Sequence, residues 1–139
     1  MKSCSIKKDI LAFVQQQEQC FERSLEIGHI TASAWLLNHD HSHVLLMHHA
    51  NLDMWVQLGG HCDGNPDALA VAITEAQEES GIQNIVAVTP HIFDIDIHLI
   101  PARKTEKEHY HYDIRFLLAA EHDTPCIQNT ESKELRWVL

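Results

Sequence analysis

A chain of 139 residues, 45% of them hydrophobic, is long enough for one compact domain with a core and too short for two of ordinary size. Its formal net charge of -10 repels polyanions, which argues against binding a nucleic-acid polymer through a basic patch and makes any phosphate-bearing small molecule dependent on a bound cation. The apolar runs fall far short of the roughly 20 residues that cross a bilayer, and the N-terminus has neither the apolar stretch nor the cleavage site of a signal peptide, so a cytoplasmic protein without membrane attachment is expected. Cys4, Cys20, Cys62 and Cys126 form no C-x-x-C pair, which predicts separate reduced thiols rather than a zinc knuckle or a redox dithiol.

In chain order, "KKDILAFVQQQEQCFERSLEI" carries Ile10, Phe13, Val14, Phe21 and Leu25 at helical spacing and predicts an amphipathic helix. This segment makes residues 1–26 a helical extension to a domain at 27–139. "HITASAWLL" and "HVLLMHH" predict a β-hairpin around the polar "NHDHS", and "MWVQL" predicts a further short strand ending at Gly59-Gly60. A helix follows at 66–80. "NIVAVTPHIFDIDIHLI" and "YHYDIRFLLAA" read as strands joined by the charged "PARKTEKE", and "ESKELRWVL" ends on a strand-like piece. Several strands with few helices predict a mixed sheet in an α+β or α/β domain.

The helix at 66–80 holds the main chemical signal. Asn65-Pro66-Asp67 suits a helix start and Gly81 a stop. At about 100° per residue, Leu69, Ala72, Ile73 and Ala76 share one side, while Glu75, Glu78 and Glu79 share roughly the other. Val71 and Ala68 lie toward the acidic side as an apolar shoulder. Like charges three or four positions apart repel by roughly 0.2–0.5 kcal/mol per pair. An acidic helix face is commonly just solvated, but here "LGGHCDGN" sets a glycine-rich loop directly before it, where main chain can approach a ligand closely.

From Gly60 onward the segment resembles the Nudix box, G-x5-E-x7-R-E-U-x-E-E-x-G-U with U aliphatic. Gly60, Glu75, Glu78, Glu79, Gly81 and Ile82 fall on its fixed positions, and Ala76 is a small residue at the first aliphatic one. Pro66 stands where the box has its first glutamate and Thr74 where it has arginine, which puts the aim of Glu75 in question. "GHITASAW", "GGHCDG", "DIDIHLIPAR" and "HYHYDIRF" resemble a subgroup of Nudix proteins, so that the likeness covers residues 20–139.

The resemblance implies a Nudix-type α/β/α sandwich around a mixed β-sheet. It also implies hydrolysis of a nucleoside diphosphate linked to another group, by water attack on a phosphoanhydride. Glu75, Glu78 and Glu79 are implied ligands for Mg2+, with Mn2+ a substitute, and the Gly60 carbonyl is a weaker ligand candidate. Glu78 or Glu79 is implied as acceptor of the water's proton. Glu131, ahead of Trp137 and preferred to Glu134, is a candidate base or further ligand, with exposed surface acid as its plain alternative. Because family members commonly continue into another helix beyond the point where Leu139 ends this chain, the resemblance also leads us to expect an exposed apolar area there. A homodimer or the N-terminal helix would cover it. A Nudix-fold nucleotide-binding protein with weak or no turnover is the rival reading, since Pro66 and Thr74 depart from the box.

The histidines, 12 in all, supply the second signal. Asp94, Asp96 and His98 alternate with apolar residues, as do His109, His111, Asp113 and Arg115, so pairing of the two strands would build a histidine–aspartate patch on one face. That patch is either the wall of a substrate cleft or simply a wet outer face. His109, His111 and a carboxylate make a further candidate, a zinc or nickel site. His61 and Asp63 are candidate substrate-binding residues because they sit in the glycine loop, His109 and His111 because they would line the cleft, and Arg103 and Arg115 as phosphate partners. His39, His41 and His43 are expected in a solvent-exposed turn.

Overall fold

The computed structural model describes residues 4–22, 25, 27–49, 54–102, 106–122 and 134–139. Two helices, α1 (Cys4–Gln16) and α2 (Ala68–Ser80), accompany eight strands: β1 (Gly28–Leu37), β2 (Val44–His49), β3 (Met54–Val56), β4 (Leu58–His61), β5 (Ile85–Ala87), β6 (Asp94–Ile100), β7 (His109–Ala120) and β8 (Leu135–Val138). They form one mixed sheet with a path β3-β2-β1-β7-β5, on which β4 joins β1, β6 joins β7 and β8 joins β2. The α/β class and the mixed sheet follow the sequence prediction.

The centre of the sheet is the parallel pair β1 and β7, in register from Gly28 opposite Tyr110 to Leu37 opposite Ala119. Alternation along β1 decides what each face carries. Ile30, Ala32, Ala34 and Leu36 are fully buried and join Ile114, Phe116 and Leu118 of β7, Leu58 of β4, and Leu45 and Met47 of β2 in the core. Both helices cover this face. Phe13 of α1 stacks on Tyr112 with ring centroids 3.9 Å apart, and Tyr112 lies opposite Ile30. From α2, Val71, Ala72 and Ala76 enter the same core. The other face carries His29, Thr31 and Ser33 of β1, and among the described residues no helix packs on it.

The hairpin of β6 and β7 forms as the alternation predicts, with Asp94 opposite Arg115, Asp96 opposite Asp113 and His98 opposite His111. Three boundaries differ from the sequence reading. The first helix ends at Gln16, and residues 18–21 are turns, because main chain there is used elsewhere. Ile30 N–H donates to the Cys20 carbonyl at 2.7 Å, and Gly64 N–H donates to that of Phe21 at 2.8 Å. Phe21 and Leu25 pack against the core from outside any helix. The "MWVQL" strand divides at Gln57, since β3 pairs with β2 while β4 has crossed to β1 and runs through Gly59-Gly60 to His61. Finally, α2 starts at Ala68 with Asp67 as its N-cap, so Pro66 precedes the helix instead of opening it.

At the other end of the chain, Leu135 and Trp137 pack against the core and Leu139 is exposed. Cys20 and Cys62 are buried free thiols, and Cys4 and Cys126 lie outside the side chains described. His39 and His41 are exposed, and His43 half-buried, in the turn between β1 and β2.

Candidate functional site

Asp67 caps α2 by accepting from Ala70 N–H at 3.1 Å, and Gly81 closes it in the left-handed conformation, φ 76°, with its N–H on the Gln77 carbonyl. These caps fix where the helix begins and ends, and the burial of Val71, Ala72 and Ala76 in the core sets which way the glutamates face. They do not share one solvent face. Glu75 and Glu79, four residues and about one turn apart, turn inward onto the strand that precedes the helix, while Glu78 stays exposed. Glu79 Oε1 accepts from Gly59 N–H at 2.8 Å. The Glu75 carboxylate rests against Gly60 so closely that a Cβ there would stand 2.6 Å from its carboxyl carbon. Gly60 thus leaves the space that lets a carboxylate meet main chain.

On the opposite face a polar network occupies the middle of the sheet. Asp113 is buried and accepts from Thr31 Oγ1 at 2.9 Å, Ser33 Oγ at 2.8 Å and Arg115 Nε at 3.0 Å. Arg115, also buried, reaches Asp94 Oδ2 with NH1 at 3.2 Å and donates from NH2 to His98 Nε2 at 3.3 Å. Because the guanidinium can only donate, His98 Nε2 is an acceptor in this contact.

Beyond Asp113 the same face ends in a group of imidazoles. His29 lies opposite His111 across β1 and β7, with ring centroids 4.7 Å apart. His109 stands 5.3 Å from His29 and 5.2 Å from His111. His61, at the end of β4, lies 5.0 Å from His29 and 5.4 Å from His111. Burial lowers the proton affinity of His111 most, helped by repulsion from its histidine neighbours, and its pKa falls to about 3. It is therefore neutral at physiological pH.

Solved structures share this architecture. A MutT NUDIX hydrolase from Burkholderia pseudomallei matches with a TM-score of 0.61 at 16% identity, over 81% of this chain and 84% of its own. The dihydroneopterin triphosphate pyrophosphohydrolase of E. coli matches at 0.58 and 15% identity, over 78% and 79%. A NUDIX-family hydrolase from Clostridium perfringens matches at 0.54 and 24% identity, also over 78% and 79%. This chain has the Nudix fold. No protein-family model and no curated protein matches the sequence.

Within this Nudix fold, the candidates read from sequence fall into two groups on opposite faces of one strand. Gly60, Glu75 and Glu79 meet on the helix side of β4, with Glu78 exposed on α2 beside them. His61, His109, His111 and Arg115 gather on the other side, with Asp94, Asp96 and Asp113. Asp63 sits in the exposed turn between β4 and α2 with a positive φ of 49°. Glu131 and Arg103 lie outside the described residues. The sequence reading did not single out His29, Thr31 or Ser33. Their signal was the same alternation used for β6 and β7, since "HITAS" places those three on one side of a strand.

Glu75, Glu78 and Glu79 carry the ligand type of a hard cation, although among the described residues only His29, His109 and His111 bring three ligand atoms within 4.8 Å of one another. The glutamates offer carboxylate oxygens from one turn of helix, and the gap at Gly60 holds one of them against main chain where any other residue would push it away. No helix among the described residues is long and apolar enough to cross a membrane.

Proposed function

We propose that this chain is a diphosphohydrolase, cutting a phosphoanhydride bond in a nucleoside diphosphate linked to another group, with Mg2+ or Mn2+ held by Glu75, Glu78 and Glu79. The observation that carries this reading is the closure of Glu75 and Glu79 together on the Gly59-Gly60 segment of a Nudix fold. Such a cation supplies neutralisation of phosphate charge and a more acidic bound water. In a protein of net charge -10, that neutralisation is also what lets an anionic small molecule approach.

The chain's own residues take the remaining tasks. Glu79 is positioned by Gly59 N–H, and that bond occupies one of its oxygens. Exposed Glu78 is therefore the better acceptor for the water's proton. The Gly60 carbonyl is the main-chain candidate beside them, and Glu131 remains the candidate base from the late loop. Asp63, in the glycine loop, is our candidate for contacting substrate beside the reacting phosphates, whereas His61 turns to the opposite face of β4. His109 and His111 line the other face. A phosphate on Arg115 would have to compete with Asp113 and Asp94, so we assign Arg115 to organising that face.

The test is product formation from a panel of nucleotide sugars, dinucleotides and nucleoside triphosphates with Mg2+, comparing the unchanged chain with Glu78→Gln and Glu79→Gln. Each variant is expected to lose on the order of 10²-fold or more, the scale set by misplaced catalytic groups. Equal product from all three proteins rejects the assigned site. A second reading, a nucleotide-binding protein without turnover, rests on Pro66 and Thr74, both exposed. No arginine at 74 steadies Glu75. Saturable, Mg2+-dependent binding of a diphosphate compound with no product from any protein would favour it.

A further inference from the structure

The reading above gives the histidines of the second face no metal to bind. We propose that His29, His109 and His111 form a binding site for a zinc-class divalent ion, separate from the glutamates and on the opposite side of β4. His61 stands beside the three as a fourth imidazole. The ligand atoms of His29, His109 and His111 all lie within 4.8 Å of one another.

The ring spacing matches what such an ion requires. Zinc binds imidazole nitrogen at about 2.0–2.1 Å in tetrahedral geometry, which sets neighbouring ring centroids about 5 Å apart and neighbouring nitrogens about 3.4 Å apart. The five measured centroid distances, 4.7 to 5.4 Å, straddle that value. The ligand atoms, now within 4.8 Å of one another, would have to close to about 3.4 Å as the ion binds.

The hydrogen bonds agree. His109 Nδ1 lies 2.8 Å from the Lys107 carbonyl, and a carbonyl can only accept, so Nδ1 carries the proton. Nε2 of His109 is left with its lone pair. This is the arrangement by which metal-bound histidines are commonly oriented, the second ring nitrogen donating to a backbone oxygen. His111 Nε2 is buried and has no hydrogen-bond partner, although a buried polar atom normally costs free energy unless it finds one. A metal ion would be that partner.

The donor chemistry also separates the two sites. Imidazole suits zinc, copper, iron or nickel, whereas carboxylate and carbonyl suit magnesium. β4 spans both: Gly60 backs Glu75 on the helix side, and the next residue, His61, projects among the histidines. His61, His109 and His111 are only half-buried, which gives an ion a way in.

Calorimetric titration of Zn2+ into the chelator-stripped full chain, with excess Mg2+ present, tests the proposal. The expected result is saturable binding of one ion per chain. Co2+ under the same conditions is expected to give the strong visible absorption of a tetrahedral nitrogen-ligated ion. His109→Gln and His111→Gln should each weaken zinc binding by more than roughly a hundredfold, beyond what loss of an outer partner costs, and His61→Gln by less. Glu78→Gln should bind zinc like the unchanged chain. Melting curves in chelator verify folding, and His109→Gln is a half-buried position near the start of its strand, so the test does not depend on buried His29. Absence of saturable binding to the unchanged chain would overturn the proposal. So would zinc binding undiminished in the His109 and His111 variants, or zinc binding lost with Glu78→Gln.

Discussion

Gly60 and Glu75 share one space: the carboxyl carbon of Glu75 lies 2.6 Å from where a Gly60 Cβ would be. The neighbour in conflict is the tip of a flexible side chain, so Gly60→Ala is expected to fold with a loss of about 1 kcal/mol or less. Glu75 would be displaced, and turnover should fall on the order of 10²-fold. At Gly59 an added Cβ meets the Ala32 carbonyl oxygen and Ser33 Cα, each at 2.7 Å, which are main chain and cannot swing away. Gly59→Ala is expected to cost about 1–3 kcal/mol. Chemical denaturation of the two variants side by side distinguishes them, and equal losses would refute the spatial argument.

Glu79 has a structural bond as well as a proposed ligand role, and two substitutions separate these. Glu79→Ala removes the acceptor of Gly59 N–H, with an expected loss of about 1–2 kcal/mol. Glu79→Gln keeps an acceptor oxygen and should hold stability to within about 0.5 kcal/mol while losing turnover. Glu78→Gln, at an exposed position, should leave the melting temperature unchanged. A Glu79→Gln variant as unstable as Glu79→Ala would show that charge, not the hydrogen bond, holds the loop.

Asp113 balances Arg115 in the middle of the sheet. Asp113→Ala leaves the buried guanidinium with less compensation and is expected to cost about 3–5 kcal/mol. Thr31→Val and Ser33→Ala each remove one donor, at about 0.5–1.5 kcal/mol. Urea unfolding should show Asp113→Ala losing more than either of the other two, and an Asp113→Ala loss no larger than theirs would refute the argument.

Cys62 is shielded by burial and by the negative charges of Asp63, Asp113 and Glu75, which push its thiol up to about 12 from 9.0. Reactivity follows the thiolate, so alkylation of native protein at pH 8, mapped by peptide mass, should spare Cys62 and proceed only after unfolding. The same shift has a sign in stability. Between pH 9 and about 12 the unfolded thiol has released its proton while the native one has not, so this contribution is full below pH 9 and is lost as pH rises through about 12. Rapid native alkylation of Cys62 would contradict the burial.

Much of the candidate site's layout was legible because short-range rules govern it. The period of two in "FDIDIHLIP" and "HYHYDIRF" placed Asp94, Asp96, His98, His109, His111, Asp113 and Arg115 on one face, and the register of β6 with β7 keeps them there. The helical period placed the glutamates near one another, and Gly81 ended their helix as expected. What period alone did not show is that Glu75 and Glu79 turn inward and Glu78 outward, since the direction of a helix face depends on which sheet it packs against. For the same reason Val71, expected as an apolar shoulder of the acidic side, is in the core. The length of the first helix was misjudged because the main chain of Cys20 and Phe21 bonds to Ile30 and Gly64, residues remote in sequence, and these bonds win over a modest local helix preference.

By itself the sequence determined the kind of chemistry available: a patterned α/β chain with a glycine loop, three closely spaced carboxylates and alternating histidines. Those are properties of spacing along a single chain. Only the tertiary structure decided which groups meet. The parallel pairing of β1 with β7, between strands more than seventy residues apart in the chain, set His29 against His111 and Thr31 against Asp113. No local pattern carries that information, because register between distant strands is fixed by how their buried faces pack together.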